Sequence, residues 1–220
     1  MLSLAEENYL KAIYHIQFKT KRSVSTNQLA EAMQTKPASV TDMIKKLAEK
    51  TLLDYQKYQG VNLTAGGKQH ALMIVRRHRL WEVFLSQKLN FAWDEVHEVA
   101  EELEHIQSEK LINRLDEFLG FPEFDPHGDP IPDANGQLVV KPKVLLTDLP
   151  LHNQAKIIAV KNSDPAFLKY MERLGTLIGN KLKVTERMEF DGSMQLELAG
   201  DKTVFVSREV AENIFVSPEA

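Results

Sequence analysis

The feature that most constrains the fold is a pattern of two short helices, a tight turn and a hairpin in residues 25–64. A capping residue at Ser25 opens the first helix, and Pro37 opens the second at a first-turn position that tolerates proline. Two strands are predicted to follow, over residues 53–58 and 61–64. Two helices joined by a tight turn and followed by a hairpin are typical of a winged helix-turn-helix.

The second of these helices has an apolar face and a polar face. Its apolar residues repeat at helical spacing and are predicted to face the core: Val40, Met43, Ile44 and Leu47. Its outward residues are mostly short hydroxyl and basic side chains: Ser39, Thr41, Asp42, Lys45 and Lys46. This face predicts contact with DNA. A small helical bundle that contacts no DNA is the alternative.

A second pattern, in residues 76–108, places imidazole and carboxylate groups about one helical turn apart. His78 and Glu82 are four residues apart, which stacks them on one face of a helix. Four further residues lie within about a third of the circumference of a second helix: His97, Glu101, Glu104 and His105. Such faces are either solvated helix surfaces or a cradle for a divalent ion. Since the donors include no thiolate, the second reading favours Mn, Fe(II), Zn or Co.

Composition restricts the class of protein. The chain has no cysteine and no apolar run of about 18 residues, so we expect neither a disulfide framework nor a membrane span. A cytoplasmic location is expected. Residues 1–80 contain 13 Lys and Arg against 6 Asp and Glu, whereas residues 81–140 contain 3 against 14. The basic part predicts a polyanionic partner, and the acidic part predicts bound cations.

The remaining chain predicts further helices up to residue 119, a Pro/Gly-rich stretch, and then a small β-barrel of the SH3 type. Strands are expected over 154–160, 181–188, 194–198 and 203–206, with one short helix over 164–174. The predicted fold class is therefore mainly α with small β parts. We predict four segments, namely a winged helix (1–64), a helical metal-binding and dimerisation domain (65–119), a linker (120–144) and an SH3-like domain (145–220).

Several short segments, taken together, resemble the metal-dependent repressors of the diphtheria toxin repressor and manganese transport regulator class. The matching segments span nearly the whole chain: Glu7-Asn8-Tyr9-Leu10, Pro37-Ala38-Ser39-Val40-Thr41, Arg77-His78-Arg79-Leu80, Glu101 with Glu104-His105, and Pro126-His127-Gly128-Asp129-Pro130. The resemblance implies a homodimer that binds palindromic double-stranded operator DNA, with a divalent metal as corepressor, and that controls metal-homeostasis genes. It also implies that the C-terminal domain is FeoA-like.

The resemblance implies a primary metal site at Asn8, Glu101, Glu104 and His105. Glu101 stands where iron-selective members have cysteine, and the oxygen donor favours Mn(II) over Fe(II), with Zn(II) or Co(II) expected to bind in vitro. Two departures are an amide at Asn8 and a cation at Lys11, where manganese regulators have acidic residues. Glu7 is a candidate substitute ligand, although it lies about 100° around the helix.

For a second site the resemblance implies two alternative ligand sets. One is His78, Glu82 and His97 with Asp164, and the other is Glu82 with Asp125, His127 and Asp164. It also implies DNA contacts from the helix and the wing: Lys36, Pro37, Ser39, Thr41, Asp42, Lys45, Lys46 and Lys57. The competing hypothesis, a dinuclear metal-dependent hydrolase, lacks a nucleophile constellation and an HExxH motif.

Overall fold

The structure is a computed structural model that describes residues 2–56, 60–92, 95–138, 143–162 and 164–218. The chain divides into two compact units. The first comprises Met1–His78, Glu101–Arg114 and Pro132–Leu138, and the second comprises the rest. The four predicted segments stay a prediction, and Lys57 lies outside the described residues. No helix in the described part of the chain is long and apolar enough to cross a membrane.

Three helices around an apolar core open the first unit: α1 (Leu4–Thr20), α2 (Thr26–Ala32) and α3 (Pro37–Glu49). A capping box between Ser3 and Glu6 begins α1, since each side chain accepts the backbone N–H of the other. Ser25 and Gln28 begin α2 in the same way. The side chains that meet at the centre are completely buried: Leu10, Ile13, Leu29, Val40, Ile44 and Leu47.

A two-stranded antiparallel hairpin follows α3, formed by β1 (Leu53–Gln56) and β2 (Gly60–Leu63). Val61 and Val24 exchange backbone hydrogen bonds of 3.0 and 2.9 Å, which attach the hairpin to the segment before α2. The order of three helices and a hairpin confirms the predicted winged helix-turn-helix.

Three more helices follow the hairpin: α4 (Ala65–Leu89), α5 (Val96–Leu103) and α6 (Glu109–Phe118). The prediction that all four ligand candidates of the second ladder lie on one helix is wrong. Helix α5 ends at Leu103, and Glu104 and His105 lie in the turn after it. The Arg77 side chain donates to the backbone carbonyl of Glu104, which satisfies an acceptor that a longer helix would have used.

A six-stranded antiparallel sheet of order β3-β8-β4-β5-β6-β7 forms the core of the second unit. Its strands are β3 (Val144–Leu145), β4 (Gln154–Val160), β5 (Lys181–Arg187), β6 (Met194–Leu198), β7 (Lys202–Val206) and β8 (Ile214–Pro218), with helices α7 (Pro165–Leu174) and α8 (Arg208–Ala211). The four predicted strands and the helix α7 are confirmed. The sequence analysis missed β3, β8 and α8. Strand β8 is defined by its pairing with β4 on one side and β3 on the other, which is a long-range contact.

The start of α4 depends on a close approach between two backbones. A Cβ atom at Gly67 would lie 1.9 Å from the carbonyl oxygen of Leu52, whereas a Cβ at the adjacent Gly66 would approach nothing closer than 3.8 Å. The paired glycines, which weaken a helix in isolation, therefore have different roles. Gly67 permits the packing of α4 on the segment that leads into the hairpin.

We expect Gly67→Ala to lower the free energy of unfolding by about 2–4 kcal/mol, because the added methyl group forces the two backbones apart. Gly66→Ala is the matched control, with an expected change between zero and a gain of about 1 kcal/mol from helix propensity. Urea unfolding monitored by circular dichroism measures both. Equal stability of the two variants would contradict the assignment.

Candidate metal centre

The N-terminal half of α1 carries charged side chains that are buried. Glu6 is 1% exposed, and its Oε1 lies 2.6 Å from Lys50 Nζ and 3.2 Å from Lys46 Nζ, both at the C-terminal end of α3. The hydrogen bond from Lys50 is the main cause that lowers the pKa of Glu6 to about 2. Glu6 is therefore a carboxylate that binds α1 to the predicted DNA-contacting helix.

The next residue, Glu7, points to a different set of partners. Its Oε2 lies 2.7 Å from His105 Nδ1, while its Oε1 accepts hydrogen bonds from Arg77 Nη2 (2.8 Å) and Gln107 Nε2 (3.2 Å). A carboxylate at Nδ1 favours the imidazole tautomer that carries the proton there, which leaves Nε2 as an electron-pair donor. Glu7 is thus placed to orient His105, which is a different role from the substitute ligand considered above.

Glu104 is completely buried, and its two carboxylate oxygens have different surroundings. Oε2 lies 2.6 Å from Lys11 Nζ and 2.6 Å from His78 Nδ1. Oε1 has no hydrogen-bond partner among the described residues and lies 4.0 Å from His105 Nε2. Asn8 Oδ1 is likewise buried without a hydrogen-bond partner in the described part of the chain.

These donors fit a divalent ion. A buried carboxylate oxygen that lacks a hydrogen bond costs about 1–3 kcal/mol or more, and an ion beside it would remove that cost. Ligand atoms on one ion are typically about 3–4 Å apart, which matches the spacing between Glu104 Oε1 and His105 Nε2. The oxygen and nitrogen donors, without sulfur, suit Mn(II) or Fe(II).

Glu101 and His78 differ from their expected positions in this arrangement. Glu101 Oε1 lies 2.6 Å from Lys11 Nζ, and the Glu101 side chain is 41% exposed. His78, which the resemblance assigned to the second site, contacts Glu104 and approaches Lys11 Nζ to 3.4 Å. The sequence analysis predicted neither the contact of His78 with Glu104 nor the contacts of Lys11 with Glu101 and Glu104. The assignment of Asn8, Glu101, Glu104 and His105 as primary ligands stays a prediction.

A second cluster of possible ligands surrounds Glu82 on α4. Ligand atoms of Glu82, Asp125 and His127 lie within 4.8 Å of one another. Glu82 Oε2 is 3.8 Å from His127 Nδ1, and Glu82 Oε1 is 3.3 Å from His97 Nδ1. This grouping corresponds to the second of the two predicted ligand sets, with His97 beside it.

Asp125 is the most constrained member of this cluster. Its Oδ1 accepts the backbone N–H groups of His127 and Asp129 at 2.8 and 2.9 Å, and its Oδ2 lies 3.4 Å from Arg79 Nε. Burial, followed by the charge of Glu82, raises the pKa of Asp125 to about 7. A divalent ion between these two buried carboxylates would relieve their repulsion, so they are candidate ligands.

Asp164, which both predicted ligand sets include, has another role in the structure. It is exposed and caps helix α7, where its Oδ1 accepts the backbone N–H of Ala166 at 2.8 Å. The grouped ligand atoms around Glu82 do not include it. A contribution of Asp164 to metal binding stays a prediction.

The predicted DNA-contacting residues form a largely exposed surface at the start and along one face of α3. Those exposed to solvent are Lys36, Pro37, Ser39, Asp42, Lys45 and Lys46. Thr41 is partly buried, and its hydroxyl donates to the carbonyl of Pro37 at 2.9 Å. Lys46 differs from the others because it also lies near Glu6.

Family models match almost the entire chain. The N-terminal DNA-binding domain of iron-dependent repressors matches residues 1–61, the metal-binding and dimerisation domain of the same repressors matches residues 64–133, and the FeoA domain matches residues 144–218.

Individual relatives agree with these matches. The transcriptional regulator MntR of Oceanobacillus iheyensis is 33% identical over 115 residues, which cover 52% of this chain and 77% of that protein. The iron-dependent repressor IdeR of Mycobacterium tuberculosis is 25% identical over 223 residues, covering 96% and 95%. A solved structure of a manganese-dependent transcriptional repressor in complex with manganese is 38% identical and covers 97% of this chain and 100% of that one, with a TM-score of 0.77.

We expect Mn(II) binding at the Glu82 cluster to weaken as the pH falls through about 7. The raised pKa of Asp125 means that the carboxyl holds a proton below that pH, and an entering ion must displace it. The affinity should fall by up to about tenfold per pH unit below 7. Titration calorimetry between pH 6 and 8, on a His105→Ala variant that lacks the primary site, measures this. An affinity that does not change over this range would contradict the prediction, and Asp125→Asn is expected to flatten the profile.

Proposed function

Since the chain belongs to the diphtheria toxin repressor and manganese transport regulator family of metal-dependent, DNA-binding transcriptional repressors, we propose that Mn(II), ahead of Fe(II), is the metal that activates it. We propose further that the activated homodimer binds palindromic operators of metal-homeostasis genes. Members of this family are repressors rather than enzymes, so the hydrolase alternative has no support.

The observation that carries the proposal is the donor set around Glu104. It consists of carboxylate, imidazole and amide groups, with the carboxylate of Glu101 at the position where a thiolate would favour softer metals. The relative with manganese in its solved structure supports the same choice. Zn(II) and Co(II) are expected to bind in vitro because they accept these donors as well.

Asn8, Glu104 and His105 are the residues that would hold the ion, with Glu101 beside them. When bound, the ion would supply positive charge to the buried Glu104 oxygen that has no hydrogen bond among the described residues. Two residues of α1 relate this charge to α3: Glu7 connects α1 to His105 in the turn after α5, and Glu6 connects the same part of α1 to Lys50 at the C-terminal end of α3. Through these contacts, a bound ion would favour the arrangement of α3 that binds DNA.

On the DNA, the residues of α3 divide into two roles. Lys36, Lys45 and Lys46 contact phosphate, which fixes the position of the helix and makes the affinity depend on salt. Ser39 and Thr41 lie nearest the bases in the major groove. Because hydroxyl groups discriminate weakly between bases, operator choice includes DNA shape and deformability.

The experiment that tests the proposal is selection of a random duplex library in Mn(II), anaerobic Fe(II), Zn(II) or chelator. We expect one palindrome to be enriched with Mn(II) and, less strongly, with Fe(II), and none in chelator. His105→Ala should abolish enrichment because it removes a metal donor, whereas His152→Ala, at an exposed position in the second unit, should leave it unchanged. Enrichment of the same palindrome in chelator would refute metal gating, and enrichment of none would refute operator binding.

We also expect Lys45→Ala to weaken binding to all DNA sequences by a similar factor. The slope of log K against log salt concentration should become shallower by about two units, since the proposed homodimer loses one phosphate contact from each protomer. Lys161→Ala, at an exposed position outside the winged helix, is the control and should keep the wild-type slope. Fluorescence anisotropy at several salt concentrations measures both. A loss of discrimination between sequences, with no change in slope, would instead assign Lys45 to base recognition.

A further inference from the structure

Lys11 is a buried cation among the groups proposed to bind metal. Its side chain is 10% exposed, and its Nζ lies 2.6 Å from both Glu101 Oε1 and Glu104 Oε2. The same Nζ lies 3.4 Å from His78 Nδ1. Two of the three N–H donors of the ammonium group therefore have carboxylate acceptors, whereas His78 Nδ1, at 2.6 Å from Glu104 Oε2, itself donates to that carboxylate. Lys11 is thus held in place by the carboxylates themselves.

We propose that Lys11 is a tethered cation that takes the second cation position of this cluster and so limits it to one divalent ion per protomer. The inference rests on the proposed function, because it assumes that the cluster around Glu104 binds a divalent ion. It goes further by naming a residue of α1, Lys11, that determines how many ions the cluster binds.

The two oxygens of Glu104 show how the cations are separated. Oε2 contacts Lys11 Nζ and His78 Nδ1. Oε1 has no hydrogen bond among the described residues and lies 4.0 Å from His105 Nε2. One carboxylate therefore offers one oxygen to the ammonium group and keeps the other for a metal ion. A second ion on the Oε2 side would have to displace Lys11.

The charges of the cluster also favour one divalent ion per protomer. Three carboxylates, those of Glu7, Glu101 and Glu104, are paired with two cations, Arg77 and Lys11. With the imidazoles neutral, the net charge of these five groups is −1, so one divalent ion brings it to +1, whereas two would bring it to +3 beside the completely buried Glu104. Coulomb repulsion of that size disfavours the second ion. Lys11→Glu changes the balance by two charges and adds a ligand, so that two ions again end at +1.

The test counts Mn(II) ions in a Glu82→Gln background, which disables the second cluster. We expect one ion per protomer by equilibrium dialysis, and an electron paramagnetic resonance spectrum of an isolated Mn(II). Lys11→Glu should bind two ions with a spin-coupled spectrum. Lys11→Gln should keep one ion but bind it about tenfold more tightly, since a nearby positive charge is removed. Lys19→Glu, an exposed position on the same helix, is the matched control and should keep both the number and the affinity.

The outcomes separate the two levels of the argument. If the background protein binds no ion, the proposed function fails, and the role of Lys11 fails with it. If it binds one ion and Lys11→Glu also binds only one, or if the background protein binds two, only the role of Lys11 is overturned. If Lys11→Glu does not fold, Lys11→Gln decides, because an affinity equal to that of the background protein overturns the inference.

Discussion

Buried carboxylates are the constraint on which the first unit depends. Glu6, Glu7 and Glu104 are at most 4% exposed, and an ionised carboxylate in such a place is stable only when cations or hydrogen-bond donors surround it. Their partners lie on other segments of the chain, namely α3 for Glu6, α4 for Glu7 and α1 for Glu104. Each carboxylate therefore connects two segments, and compensation of its charge keeps those segments in register.

Helix α1 brings these connections together because consecutive residues on a helix point about 100° apart. Glu6 faces α3, Glu7 faces His105 and Arg77, and Asn8 presents a buried amide oxygen. Lys11, one turn after Asn8, lies between Glu101 and Glu104. Glu104 therefore contacts, through Lys11, the same helix whose first turn pairs with the end of α3 through Glu6. In the proposed mechanism the linkage is reciprocal, so DNA that selects one arrangement of α3 would change the metal affinity by the same factor.

The winged helix was predictable because each of its elements carries a local signal, such as the cap at Ser25 and the first-turn proline at Pro37. The division of the candidate ligands into two clusters was not predictable from the sequence. His78 and Glu82 share a helix face, yet His78 contacts Glu104 while Glu82 contacts His97 and His127. Helical periodicity gives the face of a residue but not the segment packed against it. Lys11 was visible only as a departure from a family pattern, since its contact with Glu101 spans 90 positions in sequence.

The segment that follows α6 shows a related limit of composition as evidence. Its Pro and Gly content predicts irregular backbone, but the backbone there is held by specific contacts. Gly128 has a φ of +84°, and a Cβ at this residue would lie 2.0 Å from the carbonyl oxygen of Ile158 on β4. The carbonyl of His127 accepts the N–H of Val160, also on β4. These contacts fix Asp125 and His127 beside Glu82 before any ligand binds, so the entropy of ordering them does not oppose metal binding.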